Sequence, residues 1–182
     1  MGGKGSGNVQ QGTGRRMSPL VKRYLEERGA AFSVVTHRPL ISFEDAKEIL
    51  PHDPRNMVKS LVFRCADDSL AIVALRAAER ADYKKIAGAL GERRADLRMA
   101  EEEYVRDRLD MENGGVVPLP INGARVFIDR NVLELEEVVC GTGRKTATLV
   151  IALAELLRVA QAALADLSKA AAIADQSSPA AS

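Results

Sequence analysis

The sequence predicts a mixed α/β (α+β) domain, and three observations predict it. Residues 59–65 and 70–75 are apolar runs separated by Asp67-Asp68, which reads as an antiparallel hairpin. Helical spacing flanks it at 82–90 and 100–109. Strands and helices do not alternate as regular βαβ units, so a purely parallel sheet is not expected. The expectation is one sheet of about five to seven strands, flanked by helices.

Taken in order, Ser18 is a helix cap and Pro19 suits the first turn, where a missing N–H costs nothing. Leu20, Val21, Tyr24 and Leu25 give that helix its apolar stripe up to Gly29. Residues 31–36 alternate as a strand, ended by His37-Arg38-Pro39. Ser42 opens a second helix with Asp45 three residues on, a short relative of the capping box. After the central hairpin, Tyr83, Ile86 and Leu90 share one helix face, which Gly91 ends. Asn113-Gly114-Gly115 and Pro118-Leu119-Pro120 mark a long loop. Short strands are expected at 125–128, 137–140 and 146–150, with a glycine turn between the last two. A terminal helix is expected over 152–167 and a tail at 177–182.

Composition narrows the function. With 46% apolar and 28% charged residues in 182, the chain can bury a core and global disorder is excluded. A flexible tail is expected at 1–16, the domain at 17–168 and a second tail at 169–182. Without residues 1–16 there are 23 basic against 25 acidic residues, so composition gives no support for a general nucleic-acid binder. A local basic patch is still compatible with it. Aromatic residues total 4% with no Trp, which excludes a large base-stacking platform. No stretch reads as a membrane span or signal peptide. Cys65 and Cys140 do not form a disulfide pattern, so a reducing, cytoplasmic setting is expected. Two histidines alone make no His-rich metal site.

Several residues stand out chemically. Gly141-Thr142-Gly143-Arg144-Lys145-Thr146 resembles a fragment of a phosphate loop but lacks its residue order. It reads as a hairpin turn, or as a turn that offers glycine amides and Arg144 to an anion. Lys59 begins a strand, as a solvent-facing lysine or as one aimed into a cleft to meet a phosphate or oxyanion. Gly114 and Gly115 precede Val117 and Pro118 in a loop that is either plain or passes close to a ligand. Asp129 ends a strand and either orients Lys59 or Arg144 or caps the next turn. His37 fits a base or a strand-end histidine, with no nucleophile placed near it by pattern. Cys65 reads as core. Cys140, beside the glycine turn, has a slightly better case as a nucleophile.

Read together, four stretches resemble the YbaK/ProX family of aminoacyl-tRNA deacylases, which includes the editing domain inserted in bacterial prolyl-tRNA synthetases. They are residues 57–63, residues 82–91, residues 114–118 with 126–129, and residues 141–144. The resemblance spans about Met17 to Leu167 and implies a curved, largely antiparallel sheet flanked by helices. It makes Lys59 the strand lysine required for deacylation, and Gly114 to Pro118 the loop beside the ester. It aligns Asp129 with the aspartate after the following strand, and Gly141 to Arg144 with a turn near the terminal adenosine. Lys59, Gly114 and Gly115 are thus the catalytic candidates. His37, Val117, Pro118, Asp129, Gly141, Gly143 and Arg144 are the substrate-binding ones. No metal or cofactor is implied.

The implied substrate is a mischarged tRNA, held by its 3′-terminal aminoacyl-adenosine. A small amino acid such as Ala or Cys on tRNA(Pro) is expected, with an aminoacyl-tRNA synthetase as a further partner. The chain departs from the family pattern at Val117, Pro120 and Thr146. Those departures motivate a second reading, a non-catalytic tRNA- or synthetase-binding module. A hydrolase of another small acyl ester is a third, because fold does not fix substrate.

Overall fold

The computed structural model describes residues 16–170. The tails expected at 1–16, 169–182 and 177–182 lie almost wholly outside them.

Ser18 caps helix α1 (Pro19–Glu27), whose Val21 and Leu25 are buried. Strand β1 (Phe32–Thr36) follows, then α2 (Phe43–Ile49). Ser42 Oγ accepts from Asp45 N, and Asp45 reaches back to Ile41 N, which closes the short capping box one residue early. The central hairpin is β2 (Val58–Arg64) and β3 (Leu70–Arg76). Asp82 caps α3 (Tyr83–Leu90) through Lys84 N and Lys85 N. Next come β4 (Arg98–Met99), α4 (Glu102–Leu109), β5 (Arg125–Asp129), β6 (Glu137–Gly141), β7 (Ala147–Ala152), α5 (Leu153–Ala160) and β8 (Ala163–Ala165).

The strands form two sheets, β1-β7-β6 and β4-β2-β3-β5-β8. All pairs are antiparallel except β3–β5 and β5–β8. A parallel bridge between Met57 and Val139 joins the sheets. β3 is buried on both faces, and the pleat explains its nearly unbroken apolar run. Ile72 and Ala74 face the core with α1, α5 and α4. Ala71, Val73 and Leu75 face Phe63 and the α3 residues Ile86 and Leu90. A third cluster, Leu50, Met57, Val139 and Val150, sits where the two sheets meet.

The architecture is the expected mixed α/β sheet flanked by helices, with two corrections. Among the described residues there are eight strands in two sheets rather than five to seven in one. The terminal helix ends at Ala160, not 167, and the chain reverses at Gln161 (φ 50°) to lay β8 parallel to β5. The alanine-rich sequence fits either state. The unpaired edge of β5 decides it, together with buried Asp129, whose carboxylate accepts from Leu167 N (2.7 Å) and Ser168 N (2.8 Å).

Candidate functional site

A cavity of about 270 Å³ opens at the junction of the two sheets. Its floor is apolar, with Met57, Val139, Leu50 and Ala77. Residues 40–43 and Ala46 of α2 form one wall. Ile41 stands at the mouth with 90% of its surface exposed. The polar groups on the lining are His37, Ser42, Lys59, Arg144, Lys145 and Thr148, with the backbone of Gly114 beside them.

The strand pleat puts Val58 into the core and turns Lys59 the other way. Lys59 Nζ donates to Ala77 O (3.1 Å) and to Glu79 O, so two of its three protons are held by backbone. Burial pushes its pKa below the ordinary lysine value. Glu79 pulls it back up, and Arg80 adds to the depression.

The glycine turn between β6 and β7 is locked to the loop after α4. Gly143 takes a φ of +89°, donates to Gly115 O at 2.7 Å and packs on Ser18. A Cβ on Gly141 would lie 2.1 Å from Gly115 O, and one on Gly115 would lie 2.6 Å from the Arg144 backbone. Two backbones therefore touch where neither position has room for a side chain. Arg144 binds Asp110 twice, Nη1 to its carbonyl (2.6 Å) and Nη2 to its carboxylate (3.0 Å). Ser18 Oγ donates to the same carboxylate at 2.8 Å, so the cap of α1 also steadies the cavity arginine.

His37 Nδ1 faces Arg38 O at 2.7 Å, which makes Nδ1 the protonated nitrogen of the neutral ring. Its Nε2 then accepts from Thr148 Oγ1 at 2.8 Å. Cys140 lines the cavity, but burial pushes its thiol up to about 12. It stays protonated and is not an activated nucleophile.

The structure thus gathers Lys59, Gly114, His37, Gly141 and Arg144 on one cavity. Five other sequence candidates lie elsewhere. Gly115 is buried, and its N–H is spent on Glu112 O (2.9 Å), so it holds the loop and offers no amide to a ligand. Gly114 N–H makes no hydrogen bond among the described residues. Val117 is fully buried and packs in the main core, and Pro118 is buried beside it. Gly143 supports the turn from behind. Asp129 touches neither Lys59 nor Arg144. It caps the following turn through Asn131 N (2.8 Å) and anchors Leu167 and Ser168.

Sequence reasoning missed Asp110, Glu112, Thr148 and the 40–43 wall. Asp110 meets Arg144 across 34 residues, and no local pattern announces that pair. The 40–43 wall lay beside His37 as an apolar stretch before a capped helix, a signal that goes no further than exposure. Among the described residues, Cys65, Asp67 and Glu92 bring three ligand atoms within 4.8 Å, away from this cavity. Arg125 donates to Cys65 Sγ at 3.2 Å, and Ala66 N and Ser69 occupy the two carboxylates, so the group reads as structural. No helix among the described residues is long and apolar enough to cross a membrane.

A family model described as the aminoacyl-tRNA editing domain matches residues 37–159, from the cavity histidine through α5. The chain belongs to the aminoacyl-tRNA editing domain family. The editing domain is 28% identical over 123 residues to a proline–tRNA ligase of Halalkalibacterium halodurans, 68% of this chain and 20% of that protein. It is 29% identical over 109 residues to the proline–tRNA ligase of Heliobacterium modesticaldum, 60% of this chain and 18% of that protein. The chain therefore spans about a fifth of the length of these curated relatives. A solved structure named as a candidate trans-editing enzyme for prolyl-tRNA synthetase superposes with a TM-score of 0.72. It is 28% identical, and the match covers 85% of this chain and 99% of that one. The editing domain is of the YbaK/ProX type.

Proposed function

We propose that this editing domain hydrolyses the ester joining a small amino acid, such as Ala or Cys, to the terminal adenosine of tRNA(Pro). One observation carries the reading: Lys59, Gly114 and Arg144, far apart in sequence, meet on one open cavity. At about 270 Å³ it falls just below the ~300–1,000 Å³ typical of drug-sized ligands, which suits a small acyl group. Its apolar floor offers no hydrogen-bonding partner to a polar side chain. One methylene changes discrimination by only ~1–3 kcal/mol, so a separate small site that removes misloaded amino acids is physically sensible.

In this reading a water attacks the ester carbonyl. The free N–H of Gly114 and the third proton of Lys59 stabilise the oxyanion, and the C–O bond to the ribose then breaks. The ribose oxygen leaves with a proton, giving free amino acid and tRNA. No protein nucleophile is needed, and the substrate's neighbouring ribose hydroxyl helps to activate the water. An open cavity also favours catalysis over a non-catalytic binding module, for which a cleft filled by side chains would be the mark. A mischarged tRNA is the partner, and an aminoacyl-tRNA synthetase is a second.

The test is a panel of mischarged tRNAs, alanyl- and cysteinyl-tRNA(Pro) first and then seryl- and threonyl-tRNAs, with loss of the ester as readout. Lys59→Ala should slow hydrolysis at least about tenfold, the effect of one contact worth ~1.4 kcal/mol in the transition state. Unchanged activity in that variant would remove Lys59 from the mechanism.

A further inference from the structure

Residues 82–91 are among the stretches that resemble the deacylases, yet the reaction just described uses neither Lys84 nor Lys85. Their surroundings suggest what they do. Behind the segment 77–80 lies a second depression, of about 630 Å³. Ala77 faces the first cavity, while Ala78, Glu79 and Arg80 face the second, so one strip of backbone separates the two. That strip is also the one that holds Lys59.

Arg80, Lys85 and Lys169 line the second depression. Lys169 N donates to Arg80 O at 2.8 Å, and Ala81 bridges to Ser168, which fixes these two cationic residues side by side. Lys84 is exposed on the first turn of α3, next to Lys85. The anions nearby are held within the protein, although Glu79 Oε2 is buried with no hydrogen-bond partner. Asp166 pairs with Lys85 at 2.9 Å, and Glu79 Oε1 accepts from Asn131 at 3.2 Å. Asp82 caps α3, and Asp129 is buried under backbone amides. The side chains of Arg80 and Lys84 make no hydrogen bond or ion pair among the described residues, and Lys169 has only the longer-range attraction of the Asp82 carboxylate. What this face presents to solvent therefore includes two cations, Arg80 and Lys84, with no carboxylate held against them, beside Lys85 and Lys169. It lies on a molecule whose basic and acidic residues nearly balance.

We propose that this depression and the adjoining first turn of α3 carry the RNA backbone of the strand that enters the first cavity, with Arg80, Lys84 and Lys169 facing its phosphates. This surface rests on the deacylase reading for its orientation. A 3′ end in the first cavity has to cross its rim, and the 77–80 strip is a rim with Arg80 and the lysines of the second depression directly beyond it. Phosphate contact of this kind positions the strand without reading its sequence.

The test is binding of a fluorescein-labelled, uncharged tRNA(Pro) transcript, followed by anisotropy between about 50 and 200 mM salt. The triple variant Arg80→Ala, Lys84→Ala, Lys169→Ala should bind about tenfold or more weakly at ~50 mM salt. Its log–log salt slope should be shallower by about 2, because each phosphate contact contributes ~0.7–0.9. A control triple variant removes guanidiniums that already pair with carboxylates: Arg55→Ala, Arg93→Ala and Arg106→Ala. It should keep the wild-type slope to within about 1. Equal slopes for wild type and the first variant, an equal loss in the control, or no measurable binding by the wild type would each overturn the proposal. The probe carries no ester, so the two readings fail separately. Arg80-dependent binding without hydrolysis of any mischarged tRNA would overturn the deacylase reading and leave the RNA surface standing.

Discussion

Lys59 is held by two carbonyls, not by a carboxylate. That choice keeps the ammonium oriented without neutralising it, which suits the proposed contact with a developing negative charge. The nearest helpful charge is Glu79, whose Oε2 is buried without a hydrogen-bond partner. Burial lowers the Lys59 pKa and Glu79 opposes that fall, so Glu79→Gln should lower it further. A ¹³Cε titration of Lys59 reads this directly, and an unchanged titration in Glu79→Gln would show that Glu79 does not act on it. Arg80, His37, Cys140, Arg144 and Lys145 are the other charged or titratable groups on the strip and the cavity, and all stay in place in that variant. Deacylation should fall as pH rises through the Lys59 pKa, because the ammonium is lost. The stability sign runs the opposite way. The folded pKa lies below the unfolded one, so the unfolded chain holds the proton longer, and stability rises with pH between the two values.

The site is assembled by elements that were easy to recognise singly and gave no hint of their pairing. The β6–β7 turn and the loop after α4 each carry glycines, and each alone reads as an ordinary turn. Only together do they show why glycine stands there, since a Cβ on Gly141 would meet Gly115 O at 2.1 Å and Val116 O at 2.6 Å. Gly141→Ala should therefore cost about 1–3 kcal/mol, the usual range for overpacking, because backbone yields less readily than a side-chain tip. Gly88→Ala is the contrast. Its Cβ would enter open space on α3, and it should gain about 0.5–1 kcal/mol through the lower entropy of the unfolded chain. Thermal unfolding of the pair checks both. A Gly141→Ala variant as stable as wild type would mean that the two loops part without penalty.

At the scale of the molecule, the five-stranded sheet is completed by the last described segment. β8 covers the edge of β5, Leu167 is fully buried against α3, and Asp129 is satisfied only when Leu167 N and Ser168 N are present. Ending the chain after Ala160 would leave that carboxylate buried and short of two donors. Hydrogen bonds to a charged group contribute ~1.5–3 kcal/mol each, a large share of the ~5–15 kcal/mol that holds a domain folded. That truncation should lower Tm by many degrees or abolish cooperative unfolding. Ending the chain after Ala170 keeps every one of these contacts and should preserve the wild-type Tm. Equal melting of the two truncated chains would show that the 161–170 segment is an ornament on the fold.

The sequence by itself determined the local structure and the family. Ser18-Pro19, Ser42 and Asp82 announce three helix starts through side chains that bond their own backbone, a local interaction legible in a few residues. The β2–β3 hairpin is equally local. Lys59 and the two glycine segments marked the region of the site for the same reason, as short motifs at fixed spacing. Tertiary structure alone decided the rest. It sent Val117 and Asp129 into the interior, tied Arg144 to Asp110, turned residues 163–165 from helix to strand and left Arg80 and Lys84 without an ion pair on one face. Each of these outcomes depends on a group distant in sequence supplying, or failing to supply, a hydrogen bond, an opposite charge or an apolar surface. A linear pattern records only what a residue offers, and the fold determines what it meets.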